Sequence, residues 1–299
     1  MKCLVFSGGA EKGICYIGIL KFLEEYKLLD NLECIYGTSI GAVIGTLISI
    51  GYSSRELEYL ILKSNVKELI LPEEFNIDNL INLFGFHEPY KLHKLIRLLI
   101  EKKTNIQNIT FKQHFEKYNI KLVITSSCLS EYKCYYFSHE NYPDFPIFDA
   151  ISMSICIPIL FQPIKYDNKL FVDGALYDNY PIFNATEIYE KNDILGFFLL
   201  NKHTSKKDIN SIEDYLIVLL KSIDVKFVYL PINLYHEITV FIKINHITET
   251  KDIVKLIQIG YDCVKEYYNN NIKRFHNSIH IHMNSIDNKD ILLKYNDDS

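Results

Sequence analysis

An α/β fold is predicted by three features of the sequence. Short, charge-free apolar runs alternate with amphipathic helical stretches from the first residues to about Tyr268. The first such run ends in a glycine loop and the second leads into G-x-S-x-G. No glycine- or serine-rich linker and no internal repeat divides the chain. The expected architecture is a three-layer α/β/α sandwich around a mostly parallel, doubly wound sheet. It would span residues 1–268, carry an inserted helical cap at about 66–103, and end in a polar, asparagine-rich tail over 269–299.

The elements follow in order. Lys2 to Phe6 reads as a fully buried strand, and Ser7 to Gly13 as a glycine loop. A helix then places Cys15, Ile19, Phe22, Leu23 and Tyr26 on one face. Leu32 to Tyr36 is a second strand, followed by a turn and a helix to about Ile50. Ser53 and Glu56 have the spacing of a helix start, with the helix reaching about Leu62. The cap region contains apolar residues among Pro72, Glu73 and Glu74, then a helix opening at Pro89 and Tyr90. That helix carries an apolar stripe of Leu92, Leu95, Ile96 and Leu99. Its basic residues Lys91, Lys94, Arg97, Lys102 and Lys103 form either a solvated face or a surface for anionic lipid. Further strands are expected at Leu122–Ser126, Cys134–Phe137, Lys169–Val172, Ile194–Leu200 and Ile238–Ile244. Helices are expected at Phe148–Ser154, from Pro181 to about Tyr189, at Ile212–Phe227, and along the stripe Ile253, Ile257, Gly260, Val264 and Tyr267.

Composition narrows the function. At 299 residues the chain can bury a full core without disulfide or metal support. The net charge of -5 argues against a general nucleic-acid-binding role. The seven cysteines are odd in number, form no C-x-x-C and lie mostly in apolar surroundings. They read as free thiols of a reducing compartment. The apolar run Cys3–Phe6 is too short for a signal peptide, so cytoplasmic residence is expected, with peripheral contact at membranes. Cys34 to Ser54 has no charged residue and the length of a membrane span. Thr38, Ser39, Thr46, Ser49 and Gly51 dilute it, and Glu33 and Arg55 supply no basic flank, so a buried strand-turn-helix accounts for it better.

Three stretches carry the chemistry. Gly37-Thr38-Ser39-Ile40-Gly41 sits between strand and helix, the setting of a nucleophile elbow. Gly37 and Gly41 keep side chains away from neighbouring backbone, and the helix start aims free N–H groups at a reacting oxygen. The second stretch is Gly8-Gly9-Ala10-Glu11-Lys12-Gly13. It fails the P-loop pattern at Ile14 and Cys15, and the dinucleotide pattern at Ala10. What remains is a loop whose N–H groups can approach an anion, as an oxyanion hole does. The third, Asp173-Gly174-Ala175, ends a buried strand. There the aspartate either closes an Asx-turn or points into the crevice at the strand ends. His203, His236 and His246 follow in the chain order of an α/β-hydrolase triad. Only one strand precedes the elbow strand, however, and none of these histidines sits in a glycine-bearing loop. A Ser39–Asp173 dyad is therefore the preferred pairing.

Together these stretches resemble the patatin-like phospholipases. The family's glycine loop matches Gly8 to Gly13, including Lys12, and its G-x-S-x-G matches Gly37 to Gly41. Its D-G-[GA] matches Asp173-Gly174-Ala175, and its downstream Asn and Pro match Asn179 and Pro181. Ala150 to Phe161 resembles the helix-proline segment before the last motif, and the likeness spans about Lys2 to Ile188. The resemblance implies a calcium-independent lipid acyl hydrolase, with Ser39 as nucleophile, Asp173 as base, and Gly8, Gly9 and Ala10 as oxyanion donors. No metal or cofactor is expected, and the implied partner is membrane lipid. Ala10 departs from a family glycine, which matters if its φ is positive, and Tyr16 stands where many members have histidine. His280 and His282 read as a strand pattern rather than a metal site. Two rival readings keep the fold: a lipid- or partner-binding protein without chemistry, and a hydrolase of small soluble esters or thioesters.

Overall fold

The computed structural model describes residues 1–64, 77–88, 90–201, 235–244 and 253–271. Its centre is a sheet in the order β10-β9-β1-β2-β4-β8-β7, with β5 also paired to β4. The strands are β1 Cys3–Phe6, β2 Cys34–Thr38, β4 Lys121–Cys128, β5 Lys133–Phe137, β7 Ile164–Tyr166, β8 Lys169–Asp173, β9 Ile194–Asn201 and β10 Thr239–Ile244. β3 Gly85–His87 and β6 Ile159–Phe161 form a separate parallel pair. The helices are α1 Cys15–Glu25, α2 Ile40–Ser49, α3 Ser54–Lys63, α4 Ile77–Leu83, α5 Tyr90–Thr104, α6 Phe111–Tyr118, α7 Ile147–Ser154, α8 Ile182–Thr186 and α9 Ile253–Asn270.

The central strands are buried on both faces. Leu4 and Phe6 pack into one apolar cluster with α1, α2, α7 and α9, whereas Cys3 and Val5 pack into a second with Ile182 and Ala185 of α8. Alternate side chains thus serve opposite layers. The charge-free segment after Glu33 is β2 and α2 in this core, and no described helix is long and apolar enough to cross a membrane. α1 and α9 cross at backbone contact: a Cβ at Gly18 would overlap the Ile257 carbonyl, and one at Gly260 the Cys15 carbonyl.

The expected α/β fold is observed, and its sheet adds an antiparallel part to a parallel one. β10, β9, β1, β2 and β4 run parallel, but β5, β8 and β7 pair antiparallel. Short connections dictate the β4–β5 and β7–β8 pairings, because a parallel crossover needs a dozen or more residues. Asp167 and Asn168, at φ 48° and 56°, make the two-residue turn from β7 to β8. The sequence reading also passed over α4, α6, β3, β6 and β7, while the helix begun at Pro181 is shorter than expected. The expected helix at Ile212–Phe227, most of the tail, residues 66–76 and 89 of the expected cap, and His203, His246, His280 and His282 lie outside the described residues.

His114 of α6 is fully buried, and its Nε2 lies 2.7 Å from Ser49 Oγ, whose own hydrogen goes to Thr46 O at 2.8 Å. Nε2 therefore donates, and the buried Nδ1 meets no acceptor for a second proton. Burial, with a smaller push from His139, lowers the His114 pKa to about 4. The unfolded imidazole takes up its proton near pH 6.5, so this group's stabilisation is full above that pH and is lost as pH falls toward 4. Urea unfolding should show His114→Gln losing about 2 kcal/mol less than the parent chain between pH 7 and pH 5. Equal losses would contradict the assignment.

Candidate active site

Strand β4 brings the two motif residues together. β2 runs parallel to β4 and ends with Thr38 opposite Thr125. β8 runs antiparallel to β4 and ends with Asp173 opposite Ser126. The C-terminal ends of β2 and β8 therefore meet head to head beside β4, and Ser39 Oγ donates a 2.6 Å hydrogen bond to Asp173 Oδ2. Both residues are buried, at 6% and 4% exposure. The other carboxylate oxygen accepts the Ala175 N–H at 2.8 Å. The Asx-turn and the crevice-facing aspartate are thus one arrangement, with one oxygen for each.

Ser39 has φ 54° and ψ -124°, outside the ordinary regions for a side-chain-bearing residue. Such strain costs of order 1–3 kcal/mol and persists only where surroundings enforce it. Here the Ser39 carbonyl accepts the Ala42 and Val43 N–H groups, and its own N–H donates to Ser154 Oγ at 2.8 Å. A Cβ at Gly37 would stand 2.6 Å from Ala42 N, and one at Gly41 2.6 Å from Phe6 O. The elbow is closed on both sides by backbone.

Ser154, the last residue of α7, was not singled out in the sequence. Its available signal was its place four residues before Pro158, in the helix-proline stretch. Ser154→Ala would strand a buried N–H, and its unfolding free energy should fall by about 1–3 kcal/mol in denaturant titration. An unchanged value would show that the elbow does not depend on this bond.

The glycine loop lies against the elbow. A Cβ at Gly8 would approach Ser39 Cβ to 3.1 Å, and Gly13 faces the Ile40 side chain. The Gly8 N–H donates to Asn179 O at 3.1 Å. Among the described residues no acceptor meets the Gly9 or Ala10 N–H. Ala10 has φ 49°, the strained alternative raised by its departure from glycine. The Lys12 N–H turns back to Gly9 O. Tyr16 donates to Ser7 O at 2.7 Å and lies 3.1 Å from Ser7 Oγ, fixing the start of the loop. Burial pushes its phenol well above the ordinary range. A Cβ at Gly174 would stand 2.5 Å from Thr125 O, so glycine lets the turn after Asp173 lie on β4.

An apolar cavity of about 150 Å³ opens beside Ser39 and Ala10, enclosed by α2, α3 and α5 with Ile157 and Phe161. The predicted stripe Leu92, Leu95, Ile96 and Leu99 lines it. Glu11 is the one carboxylate on its wall among the described residues. No three His, Cys, Asp or Glu side chains among the described residues converge to hold a metal ion.

Fold and site define an α/β protein with a serine elbow and an apolar cavity at the strand ends. The patatin-like phospholipase family model matches residues 4–186, and the chain belongs to that family. It is 32% identical over 193 residues to a protein named probable lipid hydrolase 463L of Invertebrate iridescent virus 6, covering 64% of this chain and 66% of that one. It is 26% identical to a cGAMP-activated phospholipase of Escherichia coli, covering 61% of this chain and 54% of that one. The crystal structure of VipD from Legionella pneumophila shares the fold, with a TM-score of 0.56 and 16% identity over 90% of this chain and 67% of that one. Family membership and the relatives' names support lipid hydrolase activity.

Proposed function

We propose that the chain is a serine lipid acyl hydrolase of phospholipase A type that works without calcium. The observation that carries this reading is the 2.6 Å hydrogen bond from Ser39 Oγ to a carboxylate whose other oxygen is tied down. In the proposed reaction Ser39 Oγ attacks the ester carbonyl and passes its proton to Asp173 Oδ2. Charge developing on the carbonyl oxygen is met by the Gly9 and Ala10 N–H groups. Asp173 then protonates the departing glycerol oxygen, leaving the acyl group on Ser39. Water, deprotonated by Asp173, releases the fatty acid. Each proton moves between Asp173 and an oxygen, so the scheme assigns no role to a metal ion.

The cavity supplies the place for an acyl chain. Membrane contact is assigned to the exposed apolar residues Ile81, Phe84 and Tyr90, each about two-thirds exposed at 65–66%, with the exposed Lys91 and Lys94 following Tyr90 in the chain. Arg97, the third basic residue of this stretch, lies with its guanidinium 4.0 Å from the Phe148 ring centre and donates to Asn108 at 2.6 Å.

Release of fatty acid from phosphatidylcholine vesicles tests the assignment. Ser39→Ala should abolish it, Asp173→Asn should lower it by at least about 10²–10⁴, and a calcium chelator should leave the parent rate unchanged. Activity surviving in Ser39→Ala would remove the proposal. Lipid binding by the parent chain with no turnover of any ester would favour a non-catalytic binding protein. Equal rates on monomeric and vesicular esters would favour a soluble-ester hydrolase.

A further inference from the structure

The cavity beside Ser39 has a floor, and that floor is built to stay in place. Ile40, Val43, Ile44 and Leu47 face the cavity from α2 at helical spacing. Leu47, Leu57 and Leu99, from three different helices, also line it, and all three are tied to the Tyr52-Ser53 segment. The Tyr52 N–H donates to Leu47 O at 3.0 Å, and the Tyr52 phenol donates to Leu99 O at 3.0 Å. The adjoining Ser53 caps α3 and accepts the Leu57 N–H at 3.0 Å. Behind this layer, Lys103 lies 4.6 Å from the Tyr52 ring centre and pairs with Glu56 at 2.7 Å. Leu47, Leu57 and Tyr52 are buried, at 4%, 4% and 7% exposure.

We propose that this cavity is a length-limited acyl site, taking a saturated chain of up to about ten carbons, with the terminal methyl against Leu47, Leu57 and Leu99. The proposal rests on the reading of Ser39 as the acyl acceptor. Depth sets the limit: eight residues of α2 separate Ser39 from Leu47, or about 12 Å at 1.5 Å per residue. An extended chain with C–C bonds of about 1.5 Å in a zigzag covers that distance in nine or ten carbons. Longer acyl groups would leave part of the chain outside.

The full chain is assayed on 4-nitrophenyl esters from C4 to C16. kcat/KM should rise about three- to fourfold per methylene, break near C8–C10, then level or fall. Leu57→Phe should move the break down by two carbons or more. Leu99→Ala, at a half-buried position, should move it up, and Leu98→Ala, 54% exposed, should leave it in place. A measurement without catalysis runs beside it: calorimetric binding of C4–C14 1-alkanols to Ser39→Ala should show the same break. Ser39-dependent hydrolysis with no break, or with a break that neither Leu57→Phe nor Leu99→Ala moves, overturns the length limit and spares the hydrolase reading. A break in alkanol binding with no hydrolysis of any ester overturns the hydrolase reading and keeps the cavity as an apolar-chain site. Neither hydrolysis nor alkanol binding overturns both.

Discussion

Strand β4 is shared end to end by two opposed strands, and the site depends on that sharing. β2 and β8 approach each other along one flank of β4, and the space where both stop holds Ser39 and Asp173. An aspartate at the end of a parallel strand would point out of the same sheet edge as the serine. An aspartate at the end of an antiparallel strand faces it instead. The reversed direction of β8 thus supports the 2.6 Å contact.

The strain at the junction is held by its neighbours. Ser39 and Ala10 both have positive φ, so two adjoining loops sit in conformations that side chains disfavour. The Ser39 N–H is held by Ser154, the Asp173 N–H by Cys156 O at 2.7 Å, and the Thr38 hydroxyl by Asp178 O at 3.0 Å. Both Ser154 and Cys156 come from α7 and the turn after it. A segment that carries neither main motif therefore fixes the geometry of both.

Much of this was legible in the residues, for physical reasons that differ from place to place. The elbow and the glycine loop could be read because close backbone approach admits so few residue types, as the contacts facing Gly37 and Gly41 illustrate. β1, β2 and β9 could be read because strands buried on both faces tolerate no charge. Strand direction was not legible: Lys169–Asp173 reads the same whether β8 runs parallel or antiparallel. The Asp167-Asn168 pair, whose residues both tolerate positive φ, was the local signal for the hairpin that reverses it. Helix α6 was missed because Phe-Lys-Gln-His-Phe-Glu-Lys-Tyr is short and mostly polar, with Phe111 and His114 its buried residues. The engagement of Gly8 by Asn179 joins residues far apart in the chain, and no local pattern encodes it.

The central claim is that Asp173 activates Ser39 directly. Labelling with a serine-reactive fluorophosphonate, with the modified peptide mapped by mass spectrometry, tests it most directly. The account predicts a label on Ser39 in the parent chain and none above background in Asp173→Asn at the same exposure. A label on another serine, or equal labelling of Ser39 in both proteins, would contradict it.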